Sequence, residues 1–109
     1  MLKTALYTII VFVGVIEMQV TIKKDVLIRQ VGGESVILNL NSEHYFGLDD
    51  IGTRILTALT STNSTEAAFA EVLAEYDVDA EMLRQDFDRL IQELVNNGLI
   101  ELHDDSSLA

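Results

Sequence analysis

The spacing of apolar positions in the first half of the chain predicts three β-strands. An apolar, β-rich run over residues 26–31 is followed by Gly32 and Gly33, and then by a second such run over residues 34–40. Two runs joined by Gly-Gly predict a hairpin, because glycine accepts the positive φ angles of a tight turn without steric cost. A polar turn over residues 41–43 leads to a short aromatic strand over residues 44–48. We therefore expect a three-stranded antiparallel meander.

At Asp49 the apolar spacing changes from two residues to about 3.6, which predicts a helix. This first helix is capped by Asp49 or Asp50 and ends near Thr60. A second helix is predicted over residues 64–76, with Asn63 and Glu66 three residues later as its capping box.

A third helix begins at Asp79, which is placed to act as its cap. Apolar residues recur with helical spacing for about five turns, until Gly98 supplies the left-handed residue that ends the helix. Residues 99–102 are predicted to return as a short strand or extended segment against the core.

The order of strands followed by helices indicates an α+β domain whose helices pack on one face of a small antiparallel sheet. Such a sheet has edges. The strand over residues 44–48 carries no Lys, no Pro and two aromatic residues, so it is unprotected if it lies at an edge. It is then able to accept an added strand.

One domain is expected over residues 18–102, followed by a flexible acidic tail over residues 103–109. Residues 1–17 form an apolar extension with three open interpretations: a start codon assigned too early, a signal or anchor segment, or genuine structure. Its apolar stretch of 15 residues is shorter than the roughly 20 residues that a membrane helix needs.

The charge of the chain argues against several partners. Eighteen acidic and seven basic residues give a formal net charge of −11, and a surface of this sign repels phosphate backbones and anionic lipids. Nucleic acid and membranes are therefore not expected as partners. The third helix places Arg84 and Arg89 among five acidic residues, which disfavours sequence-specific DNA binding. A winged-helix transcriptional regulator remains an alternative.

The residues with catalytic or metal-binding potential do not form a recognisable site. The chain has no cysteine, and His44 and His103 stand alone without the spacing of a metal site. The acidic pairs are typical of helix caps and solvated surfaces, and Gly32-Gly33 lacks the rest of a phosphate-binding loop. We predict no enzyme activity, no cofactor and no metal.

Several short motifs together give the chain its resemblance to a known family. The most specific is the Tyr-Phe-Gly-Leu-Asp segment ending at Asp49, followed by Gly52 and Ile55 and closed by a Leu-x-x-x-Gly-Leu-Ile run. With these residues the chain resembles the PqqD-like proteins, the recognition elements that bind ribosomally synthesised precursor peptides. The other residues that carry the resemblance are Val36, Ile37, Leu38, Asn39, Leu40, Asn41, Tyr76, Val78, Asp86, Leu90, Leu94, Gly98, Leu99 and Ile100.

The resemblance implies a winged helix-turn-helix fold with three strands and three helices. A leader peptide would be bound as an extra antiparallel strand beside the third strand, in a cleft against the third helix. The Tyr-Phe-Gly-Leu form is similar to the stand-alone leader-binding proteins of lasso peptide clusters, which deliver the precursor to a leader peptidase or another modifying enzyme. This implies a non-catalytic cytoplasmic adaptor. Because the region between the second and third strands has no Pro, a role in quinone cofactor biosynthesis is the less favoured alternative.

Candidate peptide-binding residues follow from strand alternation and helix spacing. In the third strand Tyr45 and Gly47 point to one face and the neighbouring residues to the other, and the sequence does not say which face lines the cleft. On the third helix Arg84 either pairs with a leader carboxylate or forms an i,i+4 pair with Asp88. Phe87 is either core or a contact residue. The candidates are His44, Tyr45, Phe46, Gly47, Leu48, Arg84, Phe87, Asp88, Ile91 and Val95.

Overall fold

Within residues 18–104, which are the part of the chain that the computed structural model describes, there are two antiparallel sheets and three helices. This confirms the α+β class and the three predicted helices. The elements in chain order are β1 (Met18–Ile22), β2 (Val26–Val31), β3 (Glu34–Asn39), β4 (His44–Leu48), α1 (Asp50–Ser61), α2 (Thr65–Glu75), α3 (Ala80–Asn96) and β5 (Ile100–Asp104).

The larger sheet is the predicted meander, with strand order β2–β3–β4. Val31 pairs with Glu34 across the hairpin, and Gly32 has a φ of 65°. A positive φ at the first turn residue alone is typical of a type II′ turn, which favours glycine there. The Gly-Gly hairpin is therefore confirmed.

A second sheet, which the hydrophobic pattern did not predict as such, is formed by β1 and β5. Ile22 pairs with Ile100, and the ribbon runs on to a pair between Met18 and Asp104. The hydroxyl of Thr21 lies 2.8 Å from Nε2 of His103. His103 and Asp104 thus belong to a strand, and the prediction that the tail begins at residue 103 is wrong for these two residues.

Each helix begins at a side chain that accepts a hydrogen bond from the first turn. Asp49 accepts from the Gly52 amide at 2.8 Å, and Asp79 caps α3 as predicted. The cap of α2 is Ser64, which accepts from the Ala67 amide at 3.0 Å, so the predicted cap at Asn63 is wrong by one residue. Either residue type satisfies a free amide at this position, so the sequence did not separate them.

The helices cover one face of the larger sheet, and this is where the core lies. Ile37 of β3 is buried with Leu48 of β4, because alternate residues of neighbouring strands point to the same face. The opposite face, here called the outer face, carries Leu27, Val31, Val36 and Tyr45 and stays exposed. The remaining core residues are Val20, Val26, Ile55, Leu56, Ala58, Leu59, Ala68, Val72, Leu83, Phe87, Leu94, Leu99 and Ile100.

The apolar extension over residues 1–17 and the tail over residues 105–109 lie outside the described residues. Between residues 18 and 104, no helix combines the length and the apolar character needed to cross a membrane.

Candidate functional site

One edge of the larger sheet is open. In the part of the chain that the structure describes, β4 pairs with β3 only, from His44 opposite Asn39 to Leu48 opposite Ser35. The other edge of β4 therefore presents backbone amide and carbonyl groups to which no described strand binds. An unpaired edge of this kind accepts an extended segment by main-chain hydrogen bonding.

Beside this edge lies a cleft of about 470 Å³. Three elements form it: the end of β4, the first turns of α1, and one side of α3. Gly47 contributes only backbone to this lining, because strand alternation turns its side-chain position to the outer face with Tyr45. The lining residues are Phe46, Gly47, Leu48, Asp49, Ile51, Gly52, Ile55, Asp86, Arg89, Leu90 and Glu93.

The cleft has an apolar side and a charged side. The apolar side consists of residues from all three elements, among them Phe46 and Leu90, which pack partly buried against the core. The charged residues come mainly from α3, where Arg89 pairs with Asp86 at 2.7 Å. Both of these side chains are more than half exposed, so the pair contributes little stability.

The structure decides which face of β4 turns toward the cleft. Phe46, Gly47 and Leu48 line the cleft. Phe46 and Leu48 share the face that packs on the helices, while Tyr45 lies on the outer face and is 73% exposed. His44 is also exposed and does not line the cleft. Three of the five predicted β4 residues therefore come together at the cleft.

The predicted residues of α3 lie elsewhere on the helix. We expected four residues of α3 to face a strand docked on β4, and none of them lines this cleft: Arg84, Asp88, Ile91 and Val95. Ile91 and Val95 are partly buried against the core. Phe87 is fully buried.

Arg84 belongs to the contact between α2 and α3. Its guanidinium lies 3.8 Å from the ring centroid of Phe69 and donates to Glu66 at 2.9 Å. The i,i+4 pair with Asp88 also forms, at 3.5 Å. Phe69 in turn meets Phe87 edge to face at 5.4 Å. Arg84 therefore has two acidic partners and an aromatic one away from the cleft.

The charged residues of the cleft were missed because the core seam of α3 has two flanks. The buried stripe of Leu83, Phe87 and Leu94 is flanked on one side by the Arg84 row and on the other by the row of Asp86, Leu90 and Glu93. Helical spacing identifies both rows equally well. The position of α2, which covers the Arg84 row, leaves the other row to face β4.

The contribution of α1 to the cleft was also missed. Asp49, Gly52 and Ile55 carried part of the family resemblance and line the cleft. A Cβ on Gly52 would approach Leu48 to 3.2 Å. The sequence signal for these positions was therefore the Gly-x-x-Ile motif, which was not connected to a site.

Two solved structures resemble this fold. The chain is similar to the protein of "TbiB1 in Complex with the TbiA(beta) Leader Peptide", with a TM-score of 0.69, 32% identity and coverage of 74% of this chain and 94% of that chain. It also resembles "Lasso peptide synthetase B1 complexed with the leader peptide", with a TM-score of 0.69, 22% identity and coverage of 76% and 98%. No curated protein matches the chain.

A family model connects these observations to the sequence. The family described as "Coenzyme PQQ synthesis protein D (PqqD)" matches residues 34–100, a segment that runs from β3 through α3 and includes every residue lining the cleft. This chain is a member of the PqqD family.

Proposed function

We propose that this protein recognises the leader segment of a ribosomally synthesised precursor peptide by adding it as a strand to β4. The observation that carries this function is the open β4 edge beside the cleft. Two similar solved proteins are complexes with leader peptides, and TbiB1 is 32% identical to this chain. The ligand in both complexes is a leader peptide.

Strand addition divides the work of binding between backbone and side chains. Hydrogen bonds along the β4 edge set the register, and alternate side chains of the peptide turn toward the cleft. The apolar wall, formed by Phe46, Leu48, Ile51, Ile55 and Leu90, is suited to an apolar anchor. A cleft of about 470 Å³ has room for a few side chains, so we expect it to bind a short segment of the peptide.

The test compares two aromatic neighbours on opposite faces of β4. Peptides that bind the full chain are selected from a displayed library of random sequences about twelve residues long, enough to extend beyond a strand of this length. Their affinities are then measured by fluorescence anisotropy for Phe46→Ala and Tyr45→Ala. We expect Phe46→Ala to weaken binding at least about tenfold through lost apolar contact, and Tyr45→Ala to have a smaller effect.

Circular dichroism of both variants controls for folding. Equal affinities for the two variants would contradict the cleft as the binding site, as would a library that yields no peptide whose binding depends on Phe46.

We also infer that the fold is a winged helix-turn-helix, with α2 and α3 as the helix pair and the β2–β3 hairpin as the wing. The short connection between α2 and α3 supports this assignment. DNA binding does not follow from it, because Asp79 caps α3 and Glu81, Asp86 and Asp88 lie exposed on the helix.

We propose that the bound leader is delivered to a modifying enzyme, such as the leader peptidase of a lasso-peptide-type pathway, in the cytoplasm and without chemistry by this chain. The exposed apolar residues of the outer face support the proposal of an enzyme partner. Leu27, Val31 and Tyr45 are each more than half exposed there, and exposed apolar patches mark interaction surfaces. A leader strand on β4 would extend this face, so that an enzyme docked on it meets protein and peptide together.

A further inference from the structure

The charges around the cleft are unequal. Three carboxylates, those of Asp49, Asp86 and Glu93, line it together with one guanidinium, that of Arg89. A peptide that enters the cleft therefore meets an excess of negative charge at short range. This excess of negative charge affects which peptides bind, because complementary charges across an interface determine specificity.

These four charged groups differ in how far their charge is already matched. The Asp86 carboxylate is paired with Arg89 at 2.7 Å. The Asp49 carboxylate accepts a hydrogen bond from the Gly52 amide at 2.8 Å and lies at the N-terminus of α1, which carries a partial positive charge. Among residues 18–104, the Glu93 carboxylate has no ion pair and accepts no hydrogen bond, and only the backbone carbonyl of Glu93 accepts one from the Asn97 side chain. Glu93 is therefore the carboxylate most available to a ligand.

Glu93 also lies at a useful place in the cleft. It follows Asp86 by seven residues and Leu90 by three on α3, so the three side chains form one stripe along the helix. All of them line the cleft with Phe46. A peptide strand between β4 and α3 would thus have apolar surface beneath it and Glu93 along its helix side.

An acidic peptide residue would be poorly accommodated. The cationic group that lines the cleft is Arg89, and Arg89 already pairs with Asp86. The carboxylate of Glu93, one turn further along the helix, would repel the acidic residue. The net charge of −11 on the chain also opposes the approach of an anionic peptide and favours a cationic one.

From this geometry we propose that the cleft selects leader strands carrying a Lys or Arg beside their apolar anchors, with Glu93 as the residue that determines this specificity. The inference rests on the proposed function, since it describes the ligand of the same cleft. The cleft and the open edge make the site, and the charges decide which peptides it prefers.

The experiment uses charge reversal inside and outside the cleft. The random displayed library is selected separately on the wild-type chain, on Glu93→Lys and on Glu81→Lys, which makes the same charge change at an exposed α3 position that does not line the cleft. We expect Lys and Arg to be enriched over Asp and Glu on the wild type and on Glu81→Lys. On Glu93→Lys that enrichment should disappear or reverse.

One selected basic peptide is then compared with its Lys→Gln or Arg→Gln analogue. Its affinity should fall about threefold to tenfold on Glu93→Lys, while the uncharged analogue should bind the wild type and the variant alike. Raising the salt concentration should weaken only the basic peptide.

The possible failures separate the two proposals. Peptides whose binding depends on Phe46, but which show no preference for basic residues on the wild type, would overturn the role of Glu93 and leave leader binding standing. Equal enrichment on all three chains would do the same. A selection without any Phe46-dependent peptide would overturn both.

Discussion

The hydroxyl groups of Ser35 and Thr53 lie 2.7 Å apart and form a buried hydrogen bond between β3 and α1. Thr53 Oγ1 also lies 3.5 Å from the carbonyl oxygen of Leu48, at the end of β4. This pair is therefore a polar connection between the sheet and the helix whose first turns line the cleft. It joins the first turns of α1 to β3, the strand that pairs with β4.

Thr53→Val should destabilise the protein because it leaves the Ser35 hydroxyl buried without this partner, at a cost of about 1–3 kcal/mol. The double variant Ser35→Ala with Thr53→Val should cost less than the sum of the single changes, since no polar group is then stranded. Urea unfolding of the four proteins measures this coupling. Strictly additive losses would show that the two hydroxyls do not depend on each other.

Arg84→Met should lower the free energy of unfolding by about 1 kcal/mol, because it removes the contact with the Phe69 ring and the pairing with Glu66. Peptide affinity should stay unchanged, since Arg84 does not line the cleft. Arg89→Met on the same helix is the matched control and should change stability little, because its pair with Asp86 is exposed. If Arg84→Met lowered the peptide affinity without lowering the stability, Arg84 would be a binding residue and the prediction would be wrong.

The Arg54 side chain connects α1 to α2 by hydrogen bonds to Glu75 at 2.7 Å and Glu71 at 2.8 Å. Hydrogen bonding from Arg54 holds the pKa of Glu75 below its ordinary value. A lowered pKa in the folded state means that the pair stabilises the fold above the ordinary pKa of about 4.5, and that this stabilisation is lost as the pH falls through the lowered value.

Glu75→Gln should therefore lower the melting temperature slightly at pH 7 and leave it unchanged at a pH well below the carboxylate range. Thermal melts followed by circular dichroism at the two pH values measure the difference. Glu81→Gln controls for the loss of one exposed negative charge. A decrease that is the same at both pH values would exclude the ion pair as its cause.

The two glycines of the β2–β3 turn should respond differently to alanine. Gly32 has a φ of 65°, and Gly33 has no positive φ and would place its Cβ at an ordinary distance of 3.5 Å from the Asp50 Cβ. Gly32→Ala should therefore cost about 1 kcal/mol or more, because a left-handed conformation strains a residue with a side chain. Gly33→Ala should be nearly neutral, and equal losses in urea unfolding would contradict the turn geometry.

Local patterns in the chain were sufficient for most of its elements. The Gly32-Gly33 hairpin, the cap at Asp79 and the left-handed Gly98 were all predicted correctly, because each depends on the conformational preference of one or two residues. The aromatic strand ending at Leu48 was expected to be unprotected if it lay at an edge, and β4 lies at an edge of its sheet in the described residues.

Features that depend on distant neighbours were not predicted. Strand β1 pairs with β5 across most of the chain, from Ile22 to Ile100, and no local signal reports such a pairing. The side of α3 that lines the cleft was not predicted either. The stripe of Leu83 and Phe87 marked the core side of the helix, but helical spacing did not distinguish between the two sides that adjoin this stripe.

The sequence by itself thus determined the order of the helices and their approximate ends, the β2–β3–β4 meander and the buried stripe of α3. Only the tertiary structure decided that α2 covers the Arg84 flank of α3 and leaves Glu93 facing β4. The physical reason is that periodicity specifies which side of a helix is buried, whereas the packing of a third element selects which of the two adjoining sides remains open to a ligand.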